Sequence, residues 1–188
     1  MRLLDIKTQA STIFLLAKKA FVPFVILLLV FMLGGCPSPY YDKAKHTFHK
    51  SEITYRIGKL PVSWKTFKIE QCDLSFYHTR SSSAILINST CRDDYEDVAL
   101  KTLTQHVFYG FTKRTKTLQK EMIISRRAAL YTEMDAKLDG VTVKAALFIL
   151  KKNACIYDFV YAARPKHFTK EGIETLKNVI RGFKVLKE

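Results

Sequence analysis

Thiols, imidazoles, one misplaced carboxylate and a run of bases are the groups in this sequence that could do chemistry. The thiols are Cys36, Cys72, Cys91 and Cys155; the imidazoles are His46, His49, His78, His106 and His167. None of the cysteines has Cys-x-x-Cys metal spacing. His46 and His49 stand at i, i+3 without a carboxylate or thiol beside them, so no metal and no other cofactor is expected. The chain lacks a G-x-S-x-G elbow, an H-E-x-x-H helix and a Gly-rich phosphate loop. His78, His106 and His167 are scattered, and an active site would need one of them in a concave pocket with a polar partner. The expectation is therefore a non-enzymatic protein. Asp158 interrupts the apolar set Ile156, Val160 and Ala162. It is either a buried functional carboxylate or one that faces solvent or a base.

Cys36 has a context of its own. Arg2, Lys7, Lys18 and Lys19 precede an apolar run from Phe21 to Leu33, and Leu33-Gly34-Gly35-Cys36 closes it. A basic segment, an apolar segment and small residues before a cut form a secretory signal. The closing four residues resemble the lipobox of bacterial lipoproteins. That resemblance implies lipidation of Cys36 and cleavage between Gly35 and Cys36. The alternative is an uncleaved membrane anchor, but thirteen residues fall short of the ~20 that span a bilayer core. Extending the run to Ile13–Ala17 would place Lys18 and Lys19 in mid-span, which is costly. That earlier apolar patch also leaves open a start codon downstream of Met1. The expected divisions are a signal peptide over 1–35, a lipidated tether over 36–51 and one domain over 52–188.

The chain carries 31 Lys and Arg against 17 Asp and Glu. Four of those bases and one acid lie in residues 1–35, leaving 27 against 16, a net +11 over 153 residues. A domain of that size has a real core. So high a charge implies an anionic partner or a solvated basic face. Export makes nucleic acid an improbable partner, whereas acidic lipid headgroups would lie beside a tethered domain. The densest positive cluster, Lys113, Arg114, Lys116 and Lys120, reads as a basic loop.

The elements that position these groups follow from periodicity. Ile53, Tyr55 and Ile57 alternate as in a half-buried strand, and Trp64 after Pro61 reads as a core plug. Thr79 to Ser83 is a turn between two strands. If Thr79 faces Ala84, then Phe76 faces Ile87 and Cys72 faces Cys91, which predicts a Cys72–Cys91 disulfide and leaves Cys155 a buried thiol. Asp93 with Glu96 has capping-box spacing for a helix from about Asp94 to Tyr109, ended by Gly110. Asp139-Gly140 predicts a type I′ hairpin pairing Leu138 with Val141, Asp135 with Lys144 and Tyr131 with Phe148. A second tight turn at Lys152-Asn153 would set Phe148 opposite Tyr157. A last helix starts at Thr169 and ends at Gly182.

The fold class is thus α+β, with helices packed on an antiparallel sheet. Pro61-x-x-Trp64, the hairpin before the first helix, Asp139-Gly140 and Gly182-Phe183 resemble the PsbP/DcrB-like family over about Glu52 to Lys187. The resemblance implies an α/β/α sandwich, a lipid-anchored envelope protein in the DcrB-like case, and an accessory subunit docked on a membrane complex in the PsbP-like case. It implies no catalytic residues. The expected function is a non-catalytic, lipid-anchored cell-envelope protein serving as an accessory or assembly subunit, facing the periplasm or exterior and held to a membrane. Its expected contact surface comprises Lys113, Arg114, Lys116, Lys120, Arg126, Arg127, Lys151 and Lys152, against an envelope protein partner. The alternative is a carrier or sensor of a lipid or apolar ligand, with Phe148, Tyr157, Phe159 and Tyr161 lining its pocket.

Overall fold

The computed structural model describes residues 38–50, 53–92 and 97–187, all within one compact unit, Ser38–Glu188. Cys36 and the expected signal segment lie outside the described residues, as do Asp93 and Glu96 of the expected capping box.

Alternation writes the large sheet. In the strand Cys155–Ala163 (β10), Tyr157, Phe159 and Tyr161 enter one buried cluster while Ile156 and Val160 enter another. Side chains of successive strand residues point to opposite faces, so a strand apolar at every position must be covered on both sides. Val141–Lys152 (β9) does the same with Phe148 and Leu150 against Leu147 and Ile149. The other strands of this sheet are Trp64–Phe67 (β4), Leu74–His78 (β5), Ser83–Cys91 (β6), Thr112–Ile124 (β7) and Arg127–Leu138 (β8). Their order is β4-β5-β6-β10-β9-β8-β7, antiparallel throughout.

One face is covered by helix α1, Leu100–Val107, through Leu103 and by Phe108 after it. The other receives helix α2, Lys170–Arg181, through Leu176, Val179 and Ile180. Thr169 caps α2, its hydroxyl accepting from the Gly172 N–H. Beside α2 on that face lies a second, small antiparallel sheet: Tyr40–Asp42 (β1), Thr47–His49 (β2), Thr54–Arg56 (β3) and Lys184–Lys187 (β11). The α+β class and the helix–sheet–helix layering are as expected; the small sheet is an addition.

Several expectations need correction. Residues 40–49, read as tether, form β1 and β2, with Phe48 buried against Tyr55. Three-residue strands are too short to declare a period; β1 pairs with β2, and β2 in turn with β3. The basic loop at 111–120 is instead part of β7, whose polar composition reflects an edge position rather than lack of structure. Helix α1 begins at Leu100 rather than Asp94.

The Asp139-Gly140 hairpin has its expected register, with both residues at positive φ. The next turn sits one residue later, at Asn153-Ala154, also both at positive φ. Cys155 therefore faces Lys152, and Phe148 faces Phe159 rather than Tyr157. The β5–β6 hairpin is shifted too: Phe76 faces Ile85, not Ile87. That shift undoes the Cys72–Cys91 pairing. β5 begins only at Leu74, leaving Cys72 outside the ladder, while the opposite side of β6 places Cys91 level with Cys155. The disulfide is Cys91–Cys155, and Cys72 is a free thiol.

Candidate functional site

β7 is an outer strand of the large sheet, and nearly all of its thirteen residues are exposed. At about 3.3 Å per residue it runs for roughly 40 Å. Lys113, Arg114, Lys116 and Lys120 lie along it, and among the described residues none of the four is ion-paired to a carboxylate. Arg114 reaches back to α1, donating to Gln105 Oε1 at 3.2 Å. Lys116 donates to Gln119 at 3.1 Å, and Lys120 stands 5.7 Å from the centre of the Tyr131 ring. The register with β8 breaks between Thr112 and Thr115 and again between Lys116 and Leu118. Bulges and lysines on an edge strand twist and charge it against pairing with another strand. What this edge offers a partner is side-chain charge, not a free backbone ladder.

The other four expected contact residues do not extend that row. Arg127, Lys151 and Lys152 line a cleft of about 470 Å³ with Asp97, Leu100 and the Asn153-Ala154 turn, next to Cys155. Arg126 occupies the β7–β8 turn at positive φ. Lys151 donates to the Val98 carbonyl at 3.0 Å. The eight cations form two groups, one along the edge and one around the end of the sheet.

A third region was visible only as the anomaly of Asp158. Because β5 starts at Leu74, the outer side of β6 near Asn88 to Thr90 is open, and residues 68–73 wrap around it. Together with 38–41 and Phe48 they enclose a cleft of about 710 Å³ containing Asp73, Asp158, Lys50 and Cys72. Asp73 accepts from the Tyr55 hydroxyl at 3.3 Å, from Ser89 Oγ, and from Lys50 Nζ at 3.2 Å. Its backbone N–H donates to Asn88 Oδ1 at 3.1 Å. Asp158 faces Asn88 across the β10–β6 ladder. Burial, then the charge of Asp73, push the Asp158 carboxyl up to about 7, against a hydrogen bond from Asn88 that lowers it. Burial and Asp158 also raise the Cys72 thiol. A raised thiol is a weak nucleophile at neutral pH. Asp158 lies half-buried at the wall of this cleft, with Asn88 rather than a base as its hydrogen-bonding neighbour. Among the described residues, no group of three or more His, Cys, Asp or Glu side chains is placed to hold a metal ion.

The aromatic pocket expected between sheet and helix is not present as such. Phe148, Tyr157, Phe159 and Tyr161 are fully buried core residues, and Tyr157 and Phe159 both pack against Phe183. His78 and His167 both line one cleft at the far end of the sheet. Sequence spacing could not pair them, since one ends β5 and the other follows β10.

No family model matches the sequence, and no curated protein matches it. Solved structures do resemble the fold. LpqN of Mycobacterium tuberculosis, described as involved in cell envelope biogenesis, aligns over 79% of this chain and 89% of its own at 8% identity, with a TM-score of 0.55. A Bacteroides thetaiotaomicron protein aligns over 73% of this chain at 13% identity and a TM-score of 0.50. The aligned region is 46% of that protein, so the match spans about half its length. Cyanobacterial PsbP from Synechocystis aligns over 82% of this chain and 99% of its own at 11% identity. Its TM-score is 0.47, below the level at which a likeness carries weight. The likeness to LpqN and to the Bacteroides protein is one of fold.

Proposed function

We propose that this protein is a non-catalytic cell-envelope domain, lipid-anchored at Cys36, that serves as an accessory or assembly subunit at a membrane surface. The observation that carries this reading is the β7 edge. Among the described residues, the four bases Lys113, Arg114, Lys116 and Lys120 have no carboxylate ion-pair partner, and the strand that carries them is bulged twice against strand addition. An acidic protein face or anionic headgroups would satisfy that row, and a polybasic segment gains roughly 1 kcal/mol per Lys or Arg near such a surface. The envelope role of LpqN, which shares the fold, is consistent with an extracytoplasmic location. The lipobox-like Leu33-Gly34-Gly35-Cys36 supplies the membrane address, and the PsbP/DcrB-like assignment stands with it as the finer reading.

Photo-crosslinking in intact cells tests the docking role. A photoreactive residue at Lys116 or Lys120 on β7 should capture a discrete envelope partner, whereas one at Lys65 on the opposite edge strand should not. Absence of a consistent partner from β7, or the same captures from Lys65, would overturn it.

A further inference from the structure

Helix α1 has only eight residues, about 12 Å of cover at 1.5 Å per residue. It packs on β8 and β9 through Leu103, and toward the Asp139 end of the same sheet face the cover thins. There Ala84 on β6 is level with Ala162 on β10, and Leu138 on β8 with Val141 on β9. Ala162 and Val143 are half-buried at the margin of the α1-side core. Leu138 and Val141 are exposed, at 40% and 45%. These residues floor a cleft of about 770 Å³, within the range of small-molecule sites.

The walls of this cleft are of a different chemistry. Arg80 and the serines at 81–83 come from the β5–β6 hairpin, Arg164 and His167 from the chain after β10, and His78 from the end of β5. Asp139 lines the cleft with them. Among the described residues neither arginine has an ion-pair partner. His78 Nδ1 accepts from the Arg80 backbone N–H at 3.4 Å and lies 2.9 Å from Ser81 Oγ. An Nδ1 that accepts leaves Nε2 to carry the proton of the neutral ring, making it a donor. Ser81 Oγ is in turn 2.7 Å from Ser83 Oγ. The hairpin tip is thus held in one arrangement, while among the described residues the Arg80 side chain has no ion-pair partner.

We propose that this cleft binds an anionic amphiphile, a phosphate- or carboxylate-headed molecule with one apolar chain. The head sits against Arg80 and Arg164, and the chain lies over Ala84, Ala162, Val143 and Val141. Two arginines offer the planar, multi-donor recognition that such heads take up. A neutral lipid would leave the arginines unmatched, and a free anion would leave the apolar floor in water. The inference does not depend on the β7 docking role, since it uses none of the β7 bases.

The test uses the full-length protein in membranes and a decyl phosphate carrying a diazirine near its chain end. After irradiation, adducts mapped by mass spectrometry should fall in peptides holding Tyr77–Ala84 and Leu138–Val143. Unlabelled decyl phosphate should compete; decyl maltoside and inorganic phosphate at the same concentration should not. Arg80→Gln with Arg164→Gln should reduce the adducts at least tenfold with the Cys91–Cys155 disulfide intact. Val141→Glu should do likewise by charging the floor. Equal competition by inorganic phosphate would mean a site for free anions and overturn the amphiphile. Equal competition by decyl maltoside, adducts confined to other peptides, or labelling indifferent to loss of both arginines would overturn the proposal as well.

Discussion

Asp158 carries the sharpest chemical consequence of a single residue. Its carboxyl is raised to about 7 in the folded protein, against ~3.9 in an unfolded chain. Between those values the unfolded state has lost a proton that the native state keeps. Stability from this group therefore falls as pH rises from about 4 to 7 and is level above that. Asp158→Asn should remove the dependence, stabilising the protein at pH 8 by on the order of 2–4 kcal/mol, with little effect at pH 4. Urea midpoints at the two pH values check this; an equal shift at both would contradict it. At Cys91 and Cys155 the expectation is covalent. Peptide mapping without reductant should recover them linked, with Cys72 alkylated once the protein is denatured. Replacing both by alanine releases a 64-residue separation and should cost about 2–5 kcal/mol.

At the scale of elements, α2 depends on how closely it approaches β10. A Cβ at Gly172 would lie 2.2 Å from Tyr161 Cζ. That ring cannot retreat easily, because its hydroxyl donates to the His167 carbonyl at 2.9 Å and accepts from the Thr169 N–H at 3.3 Å. Gly172→Ala should lower stability by about 1–3 kcal/mol through overpacking. Lys170→Ala, exposed on the same turn, should change it by less than about 0.5 kcal/mol. Thermal unfolding of the pair separates packing from helix propensity, since alanine is the better helix former. The β7 edge makes the opposite prediction. Changing Lys113, Arg114, Lys116 and Lys120 together to Gln should leave the melting temperature nearly unchanged, because their side chains lie in solvent. The same change should weaken association with anionic vesicles by on the order of 10²–10³.

For the whole molecule, the proposed anchor and the basic charge would act together. The proposed lipid anchor and the basic surface are separate attachments to a membrane, one apolar and one electrostatic, and salt screens only the second. With Cys36 intact, high salt should not extract the protein from membranes. With Cys36→Ser, the unlipidated chain should become salt-extractable, because charge attraction alone is screened beyond ~10 Å at 0.1 M ionic strength. Fractionation at low and high salt reads both outcomes. A Cys36→Ser protein that stays membrane-bound at high salt would point instead to the apolar run as an anchor.

What the sequence determined by itself was whatever rests on neighbours in the chain. The Asp139-Gly140 hairpin keeps its register because two adjacent residues accept positive φ. Ile53, Tyr55 and Ile57 are buried because alternation is local, and Thr169 caps α2 from three residues away. Asp158 stood out because a charge in an apolar run breaks a pattern. The tertiary structure decided whatever rests on register between distant strands. A two-residue shift in the β5–β6 hairpin, with β10 laid along the other side of β6, moved the disulfide from Cys72–Cys91 to Cys91–Cys155. Strand parity is the same in both registers, so the hydrophobic pattern could not distinguish them. β7 read as a loop because an edge strand needs few apolar side chains. The arginine and histidine cleft was invisible for a related reason: Arg80 and Arg164 are 84 residues apart, and the β6–β10 pairing brings both to the lining of one cleft.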